Sequence, residues 1–150
     1  MARAQFKIFF DTSVYIAALL SPEGAAGQLI RLAEAGIIKM IVSKEVIIES
    51  DRVLSEKFPY LIQESRRLWK DLSPEIAPDP SAFQMKFFLQ KLSKGDASIL
   101  CSCSLTKVSA FVTWNTRDFM GQGVKSLVDC PIVVPGECLH LFKKWVDSND

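Results

Sequence analysis

Residues 6–20, FKIFFDTSVYIAALL, decide the fold. Phe6 to Phe10 reads as a buried strand, and Asp11, Thr12 and Ser13 punctuate it. A helix is expected from about Val14 to Leu20, stopped by Ser21-Pro22 because the residue before a proline is pushed out of helical geometry. A strand without a polar face has to be covered on both sides, as happens in parallel α/β sheets. In such sheets ligands bind beyond the carboxyl ends of the strands, and Asp11 stands on that edge.

Outward from this stretch, strands and helices mostly alternate. A helix is expected at Gly24 to Ala35, closed by Gly36, and a β-branched strand at Ile37 to Val42. Ser43 is placed to cap a helix from Lys44 to about Lys57. At helical spacing Val46, Ile47, Val53 and Leu54 face inward and Glu45, Arg52 and Glu56 face out, with Glu49 beside the apolar stripe. Cβ atoms tilt toward a helix N-terminus, so Glu49 can lean toward the edge that carries Asp11. Pro59 opens a helix to about Leu72; its Arg66, Arg67 and Lys70 read either as a phosphate contact or as a solvated face. A proline-rich loop follows, with a brief extended piece at Glu75 to Ala77. The helix at Ser81 to Leu92 holds Phe83, Phe87 and Phe88, too many aromatics for a solvated surface. Some should pack inside and the others meet a second subunit or partner. Asp96 starts a small-residue helix, SAFVT (Ser109 to Thr113) is a strand, and Asn115, Thr116, Arg117 and Asp118 follow it. A glycine-loosened turn, a last strand at Ile132 to Val134 and a helix at Gly136 to Val146 complete the chain.

The length of 150 residues fits one domain spanning 1–150, with 49% hydrophobic residues to build its core. A net charge of +1 excludes a protein that coats nucleic acid by charge alone. The four cysteines, Cys101, Cys103, Cys130 and Cys138, form no CxxC pair, and His140 is the only histidine, so zinc spacing is absent. They read as reduced core thiols. No signal-peptide pattern or membrane-spanning run is present, which predicts a soluble cytoplasmic protein.

The alternation argues an α/β fold, a three-layer sandwich around a mostly parallel sheet. Right-handed crossovers then bring Asp11, Asp96, Asn115 and Asp118 to one sheet edge, with Glu49 within a turn or two of it. Each has an ordinary alternative: Asp96 or Asp11 as a helix cap, Glu49 as a solvated helix residue, Asp118 paired with Arg117. Clustered carboxylates repel and raise one another's pKa, so together they call for a cation. Oxygen donors without His or Cys favour Mg²⁺ or Mn²⁺, and the matching chemistry is metal-assisted phosphodiester hydrolysis.

FFDTSV, the glutamate of SKEVIIESDRVL, the aspartate of KGDASIL and the TWNTRDF turn together resemble a PIN domain, over about Phe6 to Val146. The resemblance implies a metal-dependent ribonuclease, as in the VapC-type toxins of toxin–antitoxin pairs. RNA would then be the substrate, a small antitoxin protein a partner, and a homodimer the expected assembly. It also implies that Asp11, Glu49 and Asp96 are the central metal-binding acids, with Thr12, Ser13 and Thr113 the hydroxyls that hold carboxylates or coordination waters. The family often has an aspartate where this chain has Asn115, so either Asn115 or Asp118 completes the site. The alternative is a PIN-like module that binds RNA or protein with weak or lost turnover. A haloacid-dehalogenase-type phosphatase would need a second aspartate where Ser13 stands, and no nucleophile elbow supports a Ser/His/Asp hydrolase.

Overall fold

The computed structural model describes residues 4–149. Its elements in chain order are β1 (Lys7–Phe10), α1 (Thr12–Leu20), α2 (Ala25–Glu34), β2 (Lys39–Val42), α3 (Lys44–Lys57), a 3₁₀ turn (Pro59–Leu61), α4 (Ile62–Leu72) and β3 (Glu75–Ile76). Then come α5 (Ala82–Leu89), α6 (Lys94–Ser104), β4 (Ala110–Val112), α7 (Thr116–Phe119), α8 (Gln122–Lys125), β5 (Ile132–Val133) and α9 (Pro135–Ser148). The five strands form one parallel sheet, ordered β3-β2-β1-β4-β5, inside an α/β/α sandwich.

β1 takes the middle of the sheet because nothing on it past Lys7 tolerates water. Successive side chains of a strand point to opposite faces, yet Ile8, Phe9 and Phe10 are all fully buried, so helices cover both faces. Phe9 lies opposite Phe111 in the β1–β4 register and the two rings stack at 5.6 Å. β3, expected only as an extended piece, joins the sheet as an exposed two-residue edge strand. Pro74 and Pro78 stand close on either side of it and prevent its growth.

Local chemistry sets the helix ends. Gly36 follows α2 at φ 74°, a backbone conformation that favours glycine. The Ser43 hydroxyl accepts from the Val46 amide at 3.3 Å and caps α3. Two starts differ from expectation. α1 begins at Thr12 rather than Val14, because the Asp11 carbonyl already accepts from the amides of Val14 and Tyr15. α6 begins at Lys94, with Ser93 as its N-cap residue, so Asp96 lies in the first turn and is not the cap. The stretch expected as a turn between the last two strands folds as the short helices α7 and α8.

α1 is pinned from two sides. The Tyr15 ring stacks on Trp69 of α4 at 4.0 Å, and its hydroxyl lies 2.7 Å from the Ser65 hydroxyl. With Trp69 packed inward and Arg66 paired to Asp51 at 3.7 Å, the basic run on α4 is a solvated face. On the other side, the backbone of α2 passes so close to Pro22 that a methyl group at Gly27 would overlap the Pro22 carbonyl. Backbone cannot yield there as a side-chain tip would. Gly27→Ala is expected to lower stability by about 3 kcal/mol in urea denaturation. On α5 Phe88 is buried while Phe83 and Phe87 stand exposed. Among the described residues no helix is long and apolar enough to cross a membrane.

Candidate metal site at the carboxyl edge of the sheet

Parallel pairing sets the site. Beyond the end of β1 the Asp11 amide donates to the Val112 carbonyl at 3.0 Å, and beyond the end of β4 the Thr113 amide donates to Val133 at 3.0 Å. Asp11 and Thr113, 102 residues apart in sequence, are therefore neighbours, and the Thr113 hydroxyl donates to Asp11 Oδ2 at 2.7 Å. The Ser13 hydroxyl donates to the same oxygen at 2.8 Å and accepts from the Trp114 amide at 3.0 Å. Asp11 makes no side-chain cap bond to α1; its side chain is held toward β4 instead. It is 4% exposed, among the most buried polar residues of the chain.

Burial raises the Asp11 carboxyl above the ordinary aspartate range; the Thr113 and Ser13 hydrogen bonds pull it back, and the charge of Glu49 adds to the rise. Asp96 is pushed up to about 6, by burial first and then by the charge of Asp11, with Asp118 and Glu49 contributing and the Ser93 hydroxyl opposing. Asp11 at the β1 end and Asp96 on α6 thus both feel Glu49 of α3, and Asp96 also feels Asp118 of α7. Gly95 brings α6 against α3: a Cβ there would sit 3.6 Å from Glu49 Oε2, an ordinary contact.

Asn115 is engaged with Asp118. Its Nδ2 donates to Asp118 Oδ2 at 3.0 Å, and its Oδ1 accepts from the Asp118 amide at 3.3 Å, capping α7. The Asn115 backbone N–H donates in turn to the Thr113 hydroxyl at 2.9 Å. One chain of hydrogen bonds therefore runs from Asp118 through Asn115 and Thr113 to Asp11. Sequence reasoning missed the part of Trp114, whose backbone amide fixes Ser13 while the residue is 48% exposed. Only the position after a strand end could have signalled it.

Every candidate ligand is an oxygen, which suits Mg²⁺ or Mn²⁺. The Thr12 hydroxyl, next to Asp11, is buried without a hydrogen-bond partner among protein atoms, the kind of group that a bound water satisfies. Among the described residues no three His, Cys, Asp or Glu side chains converge to grip an ion directly. A cavity of about 920 Å³ lies at the opposite edge of the sheet, beside Gln5, Ile37 and Trp145, and among the described residues no ionisable side chain lines it.

A parallel α/β/α sandwich with acids gathered at its carboxyl edge defines a class. The family model for the PIN domain matches residues 7–117, and the chain belongs to the PIN domain family. Among solved structures, a chain of VapBC2 from Rickettsia felis, bound to a DNA fragment from its promoter, is similar at TM-score 0.60 and 13% identity. That match covers 86% of this chain and 98% of the other. PAE2754 from Pyrobaculum aerophilum is similar at TM-score 0.60 and 17% identity, covering 93% and 99%. At these identities the likeness is one of fold. No curated protein matches the chain in sequence.

Proposed function

We propose that the chain is a Mg²⁺- or Mn²⁺-dependent endoribonuclease whose ion is held by Asp11, Glu49, Asp96 and Asp118, directly or through water. What carries this reading is that Asp11 and Asp96, at one sheet edge, both feel the charge of Glu49, and Asp96 also those of Asp11 and Asp118. Such an ion, when bound, ionises the attacking water and neutralises charge on the phosphate. The chain's own residues do the positioning. Ser13 and Thr113 fix Asp11 through its Oδ2. Asn115 acts through Asp118, holding its carboxylate with the amide and so supplying no charge itself. The exposed Trp114 ring offers a face on which an unpaired base can stack.

The experiment is incubation of single-stranded RNA with the protein in Mn²⁺, Mg²⁺ or EDTA. Cleavage with either ion and none in EDTA is expected. Asp118→Asn should lower kcat/KM roughly 100-fold, and Asn115→Ala about 10-fold with a higher Mn²⁺ requirement, since only the positioning is lost. The neutral Asn115 favours one competing reading, a module that binds RNA or protein without turnover; RNA binding with no cleavage in any metal would establish it. As a finer proposal, the chain is the cytoplasmic toxin of a toxin–antitoxin pair, a homodimer neutralised by a small antitoxin. Family membership and the fold shared with a VapBC2 chain support this. Co-expression with the product of a short adjacent reading frame tests it, and failure of the two to co-purify would remove it.

A further inference from the structure

Cys101 and Cys103 lie two apart on α6, but Cys103 has its thiol partner elsewhere. It and Cys130, in the segment that leads into β5, are close enough for the two thiols to influence each other. Both line one cavity of about 310 Å³, together with Lys107, Val108, Leu127 and Asp129. Cys103 is 1% exposed, whereas Cys130 is only partly buried, so one thiol of the pair meets solvent and the other waits behind it. The Cys103 thiol beside it lowers the Cys130 thiol below its ordinary value, and the same contact, with burial, raises that of Cys103. A more acidic, accessible thiol beside a resolving thiol is the arrangement of a redox-sensitive pair.

We propose that Cys103 and Cys130 are a peroxide-oxidisable pair that closes to a reversible disulfide. The Cys130 thiolate attacks one oxygen of hydrogen peroxide, the O–O bond breaks, and hydroxide leaves behind a sulfenic acid. The Cys103 sulfur then displaces the sulfenic oxygen, which departs as water with the Cys103 proton, and the S–S bond forms. The hydroxide takes up the proton that Cys130 gave on ionising. In total two thiols and one peroxide give one disulfide and two waters, with two electrons passing from sulfur to oxygen. The closed loop would enclose β4 and α7, which carry Thr113, Asn115 and Asp118. The proposal does not depend on nuclease activity.

The test uses the whole chain, reduced, desalted and treated with a small excess of hydrogen peroxide. The intact mass should fall by about 2 Da, and the thiols titrated after denaturation should fall from four to two. Peptide mapping should join the Cys103 and Cys130 peptides, and dithiothreitol should reverse both changes. Cys130→Ser should form no link, while Cys101→Ser and Cys138→Ser should link as the parent does. The parent's peptide map decides the matter even where a variant fails to fold. Four titratable thiols after treatment would overturn the proposal. So would oxygen added to Cys130 with no linked peptide, or a link through Cys101 or Cys138.

Discussion

Asp11→Asn is expected to reduce metal-dependent RNA cleavage by at least about 10³-fold, equivalent to about 4 kcal/mol of transition-state stabilisation. The fold should survive. Asp11 Oδ2 accepts from the Ser13 and Thr113 hydroxyls, and an asparagine carbonyl can accept both. The substitution also removes a charge from a position 4% exposed, where burial and Glu49 already disfavour it. In EDTA the variant should therefore melt at or above the temperature of the parent. Cleavage assays paired with thermal melts separate the two effects. An Asp11→Asn protein that cleaves RNA at the parent rate would sink the assignment of Asp11 as the central ligand.

The second large effect is the pH dependence of metal stabilisation. Asp96 is raised to about 6 in the folded chain, against 3.8 ordinarily. It thus binds its proton more tightly folded than unfolded. Its contribution to stability is present in full below about pH 4 and is lost as pH rises through about 6. Asp11 is shifted in the same direction. Asp96 is about half buried, so solvent screening discounts its share to about 1–2 kcal/mol. The metal-free protein should consequently lose stability between pH 4 and 7. A divalent ion that binds the ionised acids should restore it, by about 2.7 kcal/mol at a hundred times its Kd. Calorimetry should show Mn²⁺ raising Tm by roughly 5–10 °C at pH 7.5 and by much less at pH 5. In EDTA at pH 7.5, Asp96→Asn should melt higher than the parent. Equal Mn²⁺ effects at both pH values would mean that the ion binds elsewhere.

Much of the architecture was legible because its physics is local. A run such as Phe6 to Phe10 can only be an interior strand, and Gly36 and Ser43 carry chemistry that ends or begins helices. The errors fell at boundaries, where neighbours decide. Asp11 takes an N-cap backbone position while its carboxylate is drawn away to β4, so α1 starts earlier than its apolar pattern suggests. Asp96 lost its expected place as a cap because Ser93, three residues earlier, holds that position. Asn115 and Asp118 read as rivals in the sequence and are hydrogen-bonded partners in the structure.

By itself, the sequence determined the alternation of strands and helices, the buried central strand and the edge on which the acids would stand. These follow from hydrophobic period and from the handedness of βαβ connections. Only the tertiary structure decided which groups touch. Thr113 reaches Asp11 across 102 residues because Phe10 lies opposite Val112, and a slip in that register would part them. Likewise, Cys103 lines a cavity together with Cys130 and not with Cys101. Contacts between distant residues depend on strand register and helix packing, which no local pattern of residues encodes.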